Sequence, residues 1–336
     1  MEYRNLGNTD VKLSAITFGA WAIGGWMWGG ADKKDALEAI AASYDYGVTS
    51  IDTAAIYGQG RSEEIVGEAL RSLPRDKVQI LTKFGMRWDE KKGAPDFKST
   101  DNAGHPIDIY RYSGKDSVIK ECEDSLRRLG TDYIDLYQQH WPDPTTPIAE
   151  TMEALTILLK QGKIRAAGVC NYSAAQMIEA EKTISLASNQ VPYSMVERSV
   201  EEELVPYCFN NNKSVLAYSP LQGGLLTGKI LPDHKFGPGD HRPATSFFKL
   251  ENIKRINIFL DKLKPLAKQN NALLSQLVIR WTIEQPGITI ALVGARNKEQ
   301  ALQNARAIYI NLSKNEIGLI DKEVERLQLV NDKVPV

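Results

Sequence analysis

Short apolar runs and amphipathic stretches alternate along almost the whole chain. The apolar runs are rich in β-branched residues and predict eight β-strands: Leu13–Phe18, Val48–Ile51, Val78–Thr82, Tyr133–Gln138, Ile164–Val169, Leu186–Gln190, Val215–Tyr218 and Ile288–Leu292. The amphipathic stretches predict the helices that follow them: Lys33–Tyr46, Ser62–Ser72, Lys115–Leu129, Pro147–Gln161, Ala174–Lys182, Val200–Asn211, Asn271–Glu284 and Asn297–Ala307. This alternation of strands and helices is typical of a (β/α)₈ barrel.

Further elements lie outside this eightfold repeat. Two helical patterns are surplus to it, Asn252–Asn270 and Lys314–Leu329, and the segments Glu2–Asn5 and Val11–Ser14 predict a β-hairpin across the barrel floor. A doubly wound sheet is the competing architecture, but it usually divides into a dinucleotide-binding half and a second half. Because the 336 residues show no compositional break of that kind, we predict one barrel domain over residues 1–336.

Three of the predicted connections from strand to helix are much longer than usual. They are Gly19–Ala31, which is rich in Gly and Trp, Phe84–Gly114 and Ser219–Lys249, whereas such connections commonly have about 2–6 residues. In a barrel, all of these connections open on the face that carries the active site. The lengths therefore predict a lid over a substrate pocket.

Polar side chains follow most of the predicted strands, at the point where each strand ends. They are Asp52, Lys83, His140, Cys170, Asn171, Gln190 and Tyr218. Because the carboxyl ends of barrel strands meet at one face, we expect these side chains to converge on one pocket. Acids, amides, an imidazole and a phenol in one pocket are suited to proton transfer and carbonyl recognition.

Tyr57, in the short loop after Asp52, is the candidate proton donor. A nearby lysine ammonium stabilises a phenolate, so we expect Lys83 to lower the pKa of Tyr57 towards the physiological range. Asp52 is expected to keep Lys83 charged. His140 is placed to donate a hydrogen bond to a carbonyl oxygen and orient it.

Composition and charge exclude several other classes of function. Lys and Arg number 41 against 42 Asp and Glu, a net charge of −1, which argues against capture of nucleic acid or of a membrane surface. The N-terminus lacks the apolar core of a signal peptide, and no apolar stretch is long enough to span a bilayer. The three cysteines, Cys122, Cys170 and Cys208, form no C-x-x-C pair, so we expect a cytoplasmic protein.

The histidines give no sign of a metal site, because neither H-x-H nor H-E-x-x-H spacing occurs. His105, His234 and His241 fall in loops and are interpreted as solvated or lid residues. Five of the six tryptophans also fall in predicted loops on the active-site face. They are either apolar anchors of the lid loops or the walls of an aromatic pocket suited to sugar C–H faces or aryl aldehydes.

The motifs around these residues resemble those of the aldo-keto reductase family. The blocks that carry the resemblance are IDTAAIYGQGRSEEIVGEAL, ILTKFG, YIDLYQQHWPDP, GKIRAAGVCNYS, YSPLQGGLLTGK and VGARNKEQALQN. They cover nearly the whole chain in the family's order, and AIGGWMWGG with YQQHWPDP is similar to the bacterial general-stress and sugar-associated branch. The resemblance implies an NADPH-dependent oxidoreductase on a TIM barrel that reduces aldehyde or ketone groups of small molecules.

The resemblance also implies roles for individual residues. The catalytic set is Asp52, Tyr57, Lys83 and His140, with Tyr57 as general acid. The cofactor contacts are Gly19, Ala20, Trp21, Asp52, Cys170, Asn171, Gln190, Tyr218, Ser219, Pro220, Leu221, Gly223, Lys229, Gly294, Ala295, Arg296, Gln300, Gln303 and Asn304. The substrate pocket is lined by Trp21, Trp28, Tyr57, Trp88, His140 and Trp141. Arg296 beside a helix N-terminus suits the 2′-phosphate of NADPH, since both favour a dianion.

Two positions depart from the family's usual pattern, and two other functions stay open. Cys170 stands where the family often has Ser, and Val293 where it commonly has Pro. Cys170 is itself a predicted cofactor contact, and Val293 directly precedes the contact Gly294. A Schiff-base aldolase that uses Lys83 is the first alternative, although a protonated lysine is a poor nucleophile. The second is a regulatory protein that binds the cofactor as a sensor.

Overall fold

Thirteen β-strands occur in the described part of a computed structural model, which comprises residues 1–28, 32–237 and 239–330. In chain order they are β1 (Tyr3–Asn5), β2 (Lys12–Ser14), β3 (Ile16–Gly19), β4 (Ser50–Asp52), β5 (Gln79–Phe84), β6 (Met86–Arg87), β7 (Ala94–Thr100), β8 (Pro106–Arg111), β9 (Ile134–Gln139), β10 (Ile164–Cys170), β11 (Ser188–Pro192), β12 (Ser214–Tyr218) and β13 (Ile288–Gly294). Eight of them form a closed parallel barrel in the order β3-β4-β5-β9-β10-β11-β12-β13. This confirms the predicted (β/α)₈ barrel.

Ten α-helices occur in the same described residues, and most of them surround the barrel. They are α1 (Lys33–Asp45), α2 (Arg61–Leu70), α3 (Lys115–Leu129), α4 (Ile148–Lys160), α5 (Ala174–Ala180), α6 (Leu204–Asn210), α7 (Leu250–Gln269), α8 (Leu274–Glu284), α9 (Lys298–Ala305) and α10 (Lys314–Glu325). Local sequence fixes several of their ends. Ser173 and Ser313 begin α5 and α10 with capping boxes, and Gly130 ends α3 in the left-handed conformation. The two surplus helices are present as α7 and α10, which pack on each other.

The N-terminal hairpin of β1 and β2 closes the floor of the barrel, as predicted. Leu6, Val11 and Leu13 pack in one buried cluster with barrel residues such as Leu81. Gly7 makes the tight approach possible: its φ is +53°, and a Cβ there would lie 2.5 Å from the carbonyl oxygen of Ala187. The opposite end of the barrel is therefore the open one.

Several boundaries differ from the prediction. The run Leu13–Phe18 is two strands, because β2 pairs with β1 and the chain then enters the barrel as β3. The predicted helix Val200–Asn211 is a 3₁₀ turn at Ser199–Glu201 followed by the shorter α6. Of the long connections, residues 29–31 of Gly19–Ala31 and residue 238 of Ser219–Lys249 lie outside the described residues.

The connection Phe84–Gly114 holds the main element that the pattern did not predict. It contains a three-stranded antiparallel sheet in the order β6-β8-β7. Its strands are short or lie at the surface, so they lack the buried, alternating pattern of a core strand. None of the helices in the described ranges is both long and apolar enough to cross a membrane.

Candidate active site

The open end of the barrel holds a cavity of about 590 Å³. Strand ends and the residues after them form its floor, among them Gly19 at the end of β3, Asp52 at the end of β4 and Tyr218 at the end of β12. The long connections form its walls. The structure thus brings the predicted strand-end residues to one place.

Lys83 lies beneath this cavity and is almost completely buried, with 1% of its surface exposed. Its Nζ donates hydrogen bonds to Asp52 Oδ1 at 2.6 Å and to the carbonyl oxygen of Thr53 at 2.8 Å. The same nitrogen lies 3.3 Å from the hydroxyl oxygen of Tyr57. One buried ammonium therefore joins a carboxylate to the candidate proton donor.

A tight turn between β4 and α2 places Tyr57 over Lys83. Gly58 and Gly60 both have positive φ, +65° and +97°. A Cβ at Gly58 would lie 2.4 Å from the carbonyl oxygen of Gly24, so only glycine lets the two segments approach this closely. The turn explains why Tyr57 reaches the site although it lies outside the strands.

The pKa of Tyr57 differs from the expectation. Burial raises the pKa of Tyr57 to about 12, and the nearby ammonium of Lys83 offsets only part of that effect. The expected shift towards the physiological range is therefore wrong. Because its pKa is high, Tyr57 is a neutral phenol that keeps its proton at physiological pH.

Lys83 and His140 are shifted in opposite directions. Burial alone would lower the pKa of Lys83, but the negative charge of Asp52 and its hydrogen bond outweigh burial and raise that pKa above its ordinary value. Burial, together with the charge of Lys83, holds the pKa of His140 well below its usual range. Lys83 is thus a permanent cation, and His140 is a neutral imidazole that keeps one N–H donor.

The carbonyl group at the end of β5 and the side chain of Asn171, directly after β10, position His140. Its amide N–H donates to the carbonyl oxygen of Phe84 at 2.9 Å, and its own carbonyl accepts from Asn171 Nδ2 at 3.1 Å. The rings of His140 and Tyr57 lie edge to face with centroids 5.7 Å apart. Both donors therefore border one small space at the cavity floor.

Two amide side chains and a phenol, those of Asn171, Gln190 and Tyr218, also line the cavity floor. Asn171 has a positive φ of 58° and accepts a hydrogen bond from the Tyr218 hydroxyl at 3.0 Å. Gln190 Nε2 donates to Asp52 Oδ2 at 2.9 Å. Cys170 is buried beside them, and burial raises the pKa of its thiol, so it is an unreactive small side chain here.

The far end of the cavity is lined by residues before and within α9. Asn297 caps this helix by accepting a hydrogen bond from the backbone N–H of Gln300 at 3.0 Å. Asn304 Nδ2 donates to the carbonyl oxygen of Gly294 at 3.0 Å, which ties the helix to the end of β13. The cavity wall therefore includes a helix N-terminus next to the exposed side chain of Arg296.

All of the residues predicted as cofactor contacts line this cavity. Of the predicted substrate pocket, Trp21, Trp28 and Trp141 line it, together with Tyr57 and His140. The structure places Trp88 elsewhere, packed against the buried cluster of Trp26, Met86 and their neighbours. Placement alone is established here, and the roles of these residues stay predictions.

Sequence reasoning missed part of the wall. The missed lining residues include Met86, Phe97 and Arg242, and Trp26, one of the five loop tryptophans, was not assigned to the substrate pocket. His241, interpreted above as a solvated or lid residue, is half-buried against the rings of Trp21 and Trp28, with centroids 5.1 and 5.2 Å away. The clustered glycines and tryptophans were a usable signal for Trp26, whereas nothing local marks Phe97 or Arg242.

Known proteins resemble this chain over almost its full length. The model of the Aldo/keto reductase family matches residues 15–325. The aldo-keto reductase YhdN of Bacillus subtilis is 41% identical over 302 residues, which cover 89% of this chain and 86% of that protein. The NADH-specific methylglyoxal reductase of Escherichia coli is 38% identical over 328 residues, 96% and 98% of the two chains.

A solved structure gives the same result. The glycerol dehydrogenase AKR11B4 from Gluconobacter oxydans matches with a TM-score of 0.87 and 36% identity, covering 99% of this chain and 98% of that one. The chain belongs to the aldo/keto reductase family, as the sequence motifs indicated.

Proposed function

We propose that this protein is an NADPH-dependent reductase that converts the aldehyde or ketone groups of small molecules to alcohols. The observation that carries the proposal is the contact of Lys83 Nζ with both Asp52 and Tyr57 at the floor of a cavity of small-molecule size. The reduced nicotinamide, when bound, supplies the hydride for the carbonyl carbon.

Tyr57 is proposed to deliver the proton to the carbonyl oxygen. Its raised pKa of about 12 keeps it protonated, which is the state that a general acid needs. The ammonium of Lys83, 3.3 Å away, stabilises the phenolate that forms as the proton leaves. Asp52 keeps that ammonium charged in its buried position.

His140 is proposed to orient the substrate. As a neutral imidazole it donates one hydrogen bond without competing for the proton of Tyr57. Two donors that border the same space fix the carbonyl oxygen, so that one face of the carbonyl carbon is presented to the cofactor.

The residues around the cavity fit a nicotinamide dinucleotide. Asn171 and Gln190 offer amides to the carboxamide, and Tyr218 offers a ring to the nicotinamide. Lys229 and Arg296 lie in the same cavity wall, and within the described ranges neither pairs with a carboxylate. Cations without a carboxylate partner, in a cavity wall that also contains a helix N-terminus, suit phosphate groups.

NADPH is proposed over NADH on the strength of Arg296. Its exposed guanidinium stands at the start of α9, where a ribose 2′-phosphate would give it a dianionic partner. NADH is the competing cofactor, because one relative is named an NADH-specific enzyme. The thermal stability of the protein with each cofactor separates the two.

The proposed substrates are small and neutral. The cationic side chains of the cavity wall are Lys229, Arg242 and Arg296. Lys229 and Arg296 are proposed to bind the cofactor and Arg242 is paired with Asp240, so none of the three is left to bind an anionic substrate. The wall beside Tyr57 is instead aromatic, which suits aryl aldehydes or the C–H faces of sugars. The relatives named after methylglyoxal and glycerol act on small oxygenated compounds of the same kind.

The aldolase alternative is disfavoured by the electrostatics of Lys83. A Schiff base needs an unprotonated amine, whereas the pKa of Lys83 is raised above its ordinary value by Asp52. The regulatory alternative, and the cytoplasmic location indicated by three free, buried cysteines, stay predictions.

Tyr57→Phe is the test of this function. We expect the variant to lose at least 100-fold in kcat for aldehyde-dependent NADPH oxidation, because general acid catalysis typically contributes about 10²–10⁴-fold. NADPH binding, measured by fluorescence titration, should stay within about twofold. Tyr309→Phe, at an exposed tyrosine, is the control. A Tyr57→Phe variant with near-normal turnover would remove Tyr57 from the mechanism, and a parent without any turnover would favour the regulatory alternative.

A further inference from the structure

The sheet in the connection between β5 and α3 forms one wall of the cavity. Met86 of β6 and Phe97 of β7 both line the cavity that also contains Tyr57 and His140. Ile107 and Ile109 of β8 pack beneath this wall, in the same apolar cluster as Tyr57. The sheet is thus part of the candidate active site and not a peripheral insertion.

The hairpin of β7 and β8 is held in place by contacts to the connection after β3. Trp26 Nε1 donates to Ser99 Oγ at 3.1 Å and to the carbonyl oxygen of Thr100 at 3.0 Å. Asn102 Nδ2, at the hairpin tip, donates to the carbonyl oxygen of Gly24 at 2.8 Å. Three hydrogen bonds at one end of the hairpin fix its distance from the barrel.

A β-bulge in β7 sets the direction of Phe97. The register between β7 and β8 shifts between Pro95 and Lys98, so that Asp96 and Phe97 both oppose one residue of β8. A bulge bends its strand and re-aims side chains, and bulges are frequent next to active sites. Here the ring of Phe97 stacks on Trp26, with centroids 6.1 Å apart and planes inclined by 16°.

Phe97 combines a packed position with an open one. It is 37% exposed, whereas the Trp26 beneath it is 4% exposed. Part of the Phe97 ring is therefore available to a ligand, and the indole behind it prevents the ring from retreating. An aromatic ring that is fixed on one side and open on the other offers a stacking surface to a ligand. It also limits the length of a ligand that fits between it and Tyr57.

We propose that Phe97 is a specificity-determining residue, which stacks on flat substituents of the carbonyl substrate and limits how far they extend from Tyr57. This inference rests on the proposed carbonyl reduction. It further predicts that β7, a bulged strand outside the barrel, determines which aldehydes the enzyme prefers.

The experiment compares kcat/KM of the parent and Phe97→Ala for methylglyoxal, benzaldehyde and 4-phenylbenzaldehyde. We expect benzaldehyde to lose about threefold to tenfold, mainly through KM, because a stacking partner is removed. We expect 4-phenylbenzaldehyde to gain by a similar factor, because the wall recedes, and methylglyoxal to change by less than about twofold. Phe97→Trp should reduce activity towards 4-phenylbenzaldehyde below that of the parent, because the wall advances.

Phe209→Ala, at an exposed phenylalanine on α6, is the matched control and should leave all three values unchanged. Equal losses for the three aldehydes in Phe97→Ala would indicate a structural role and overturn the inference, as would three unchanged values. A parent that reduces none of the aldehydes with NADPH or NADH would overturn the proposed function itself, and this is seen without any variant.

Discussion

At the scale of single residues, the ion pair of Lys83 and Asp52 is buried in the candidate active site, and its burial costs desolvation free energy. Both side chains are almost fully buried, and a buried ion pair seldom stabilises a fold relative to apolar residues of similar size. What the pair supplies here is a fixed positive charge 3.3 Å from the Tyr57 hydroxyl. Stability and activity should therefore respond differently when the pair is removed.

Removal of one partner should destabilise the protein strongly. We expect Lys83→Met to lower the free energy of unfolding by about 3–5 kcal/mol, because Asp52 is left as an uncompensated buried charge. The double variant Lys83→Met/Asp52→Asn should recover most of this loss in urea denaturation while its kcat stays low. A double variant that recovers activity together with stability would show that Lys83 has only a structural role.

At the scale of elements, a buried carboxyl anchors the sheet of β6, β7 and β8 where it leaves the barrel. Glu121 of α3 accepts hydrogen bonds from the backbone N–H of Gly85 at 3.0 Å and from the Ser117 hydroxyl at 3.1 Å. Arg87 Nη1 lies 3.6 Å from the same carboxyl group. Burial raises the pKa of Glu121 to about 7, against the lowering by Arg87 and these hydrogen bonds.

This raised pKa links the stability of the fold to pH. The folded protein holds the Glu121 proton more tightly than the unfolded chain. The protonated Glu121 therefore contributes to the free energy of unfolding below about pH 4.5, and this contribution is lost as the pH rises through 7. A shift from 4.5 to about 7 corresponds to about 3 kcal/mol at most. As the pH rises from 5 to 8, the parent should therefore lose stability that Glu121→Gln keeps, so the difference in unfolding free energy should shift in favour of the variant.

Guanidinium denaturation at the two pH values measures this difference. Glu123→Gln, at a half-buried carboxyl group on the same helix that pairs with Lys163, is the control, and it should change the stability by the same amount at both values. Parallel pH dependences of the parent and Glu121→Gln would contradict the linkage. Aldehyde reduction at pH 7 reports in addition whether the anchored sheet keeps its place.

At the scale of the whole molecule, the sequence predicted the features that follow from barrel geometry, namely the order of the elements and the residues at the strand ends. Asp52, Lys83 and His140 were found because parallel strands end at one face, and the surplus helices α7 and α10 because each carries an amphipathic pattern. The pocket wall at Phe97 was not found, because the exposed, proline-containing β7 has no alternating burial and its bulge depends on pairing with β8. The raised pKa of Tyr57 also depends on burial by loops, which no motif records.

The stability of the whole molecule should report which cofactor it binds. A ligand that binds only the folded state raises the free energy of unfolding by RT ln(1 + [L]/Kd), so each tenfold difference in affinity adds about 1.4 kcal/mol. If Arg296 binds the 2′-phosphate, NADPH should raise the thermal midpoint of the parent by a few degrees more than NADH at equal concentration. Arg296→Ala should bring the two cofactors to the same midpoint, whereas Lys298→Ala, at a neighbouring lysine outside the cavity wall, should keep them apart. An NADH shift as large as that of NADPH in the parent would favour NADH as the cofactor and leave the carbonyl chemistry of Tyr57 unaffected.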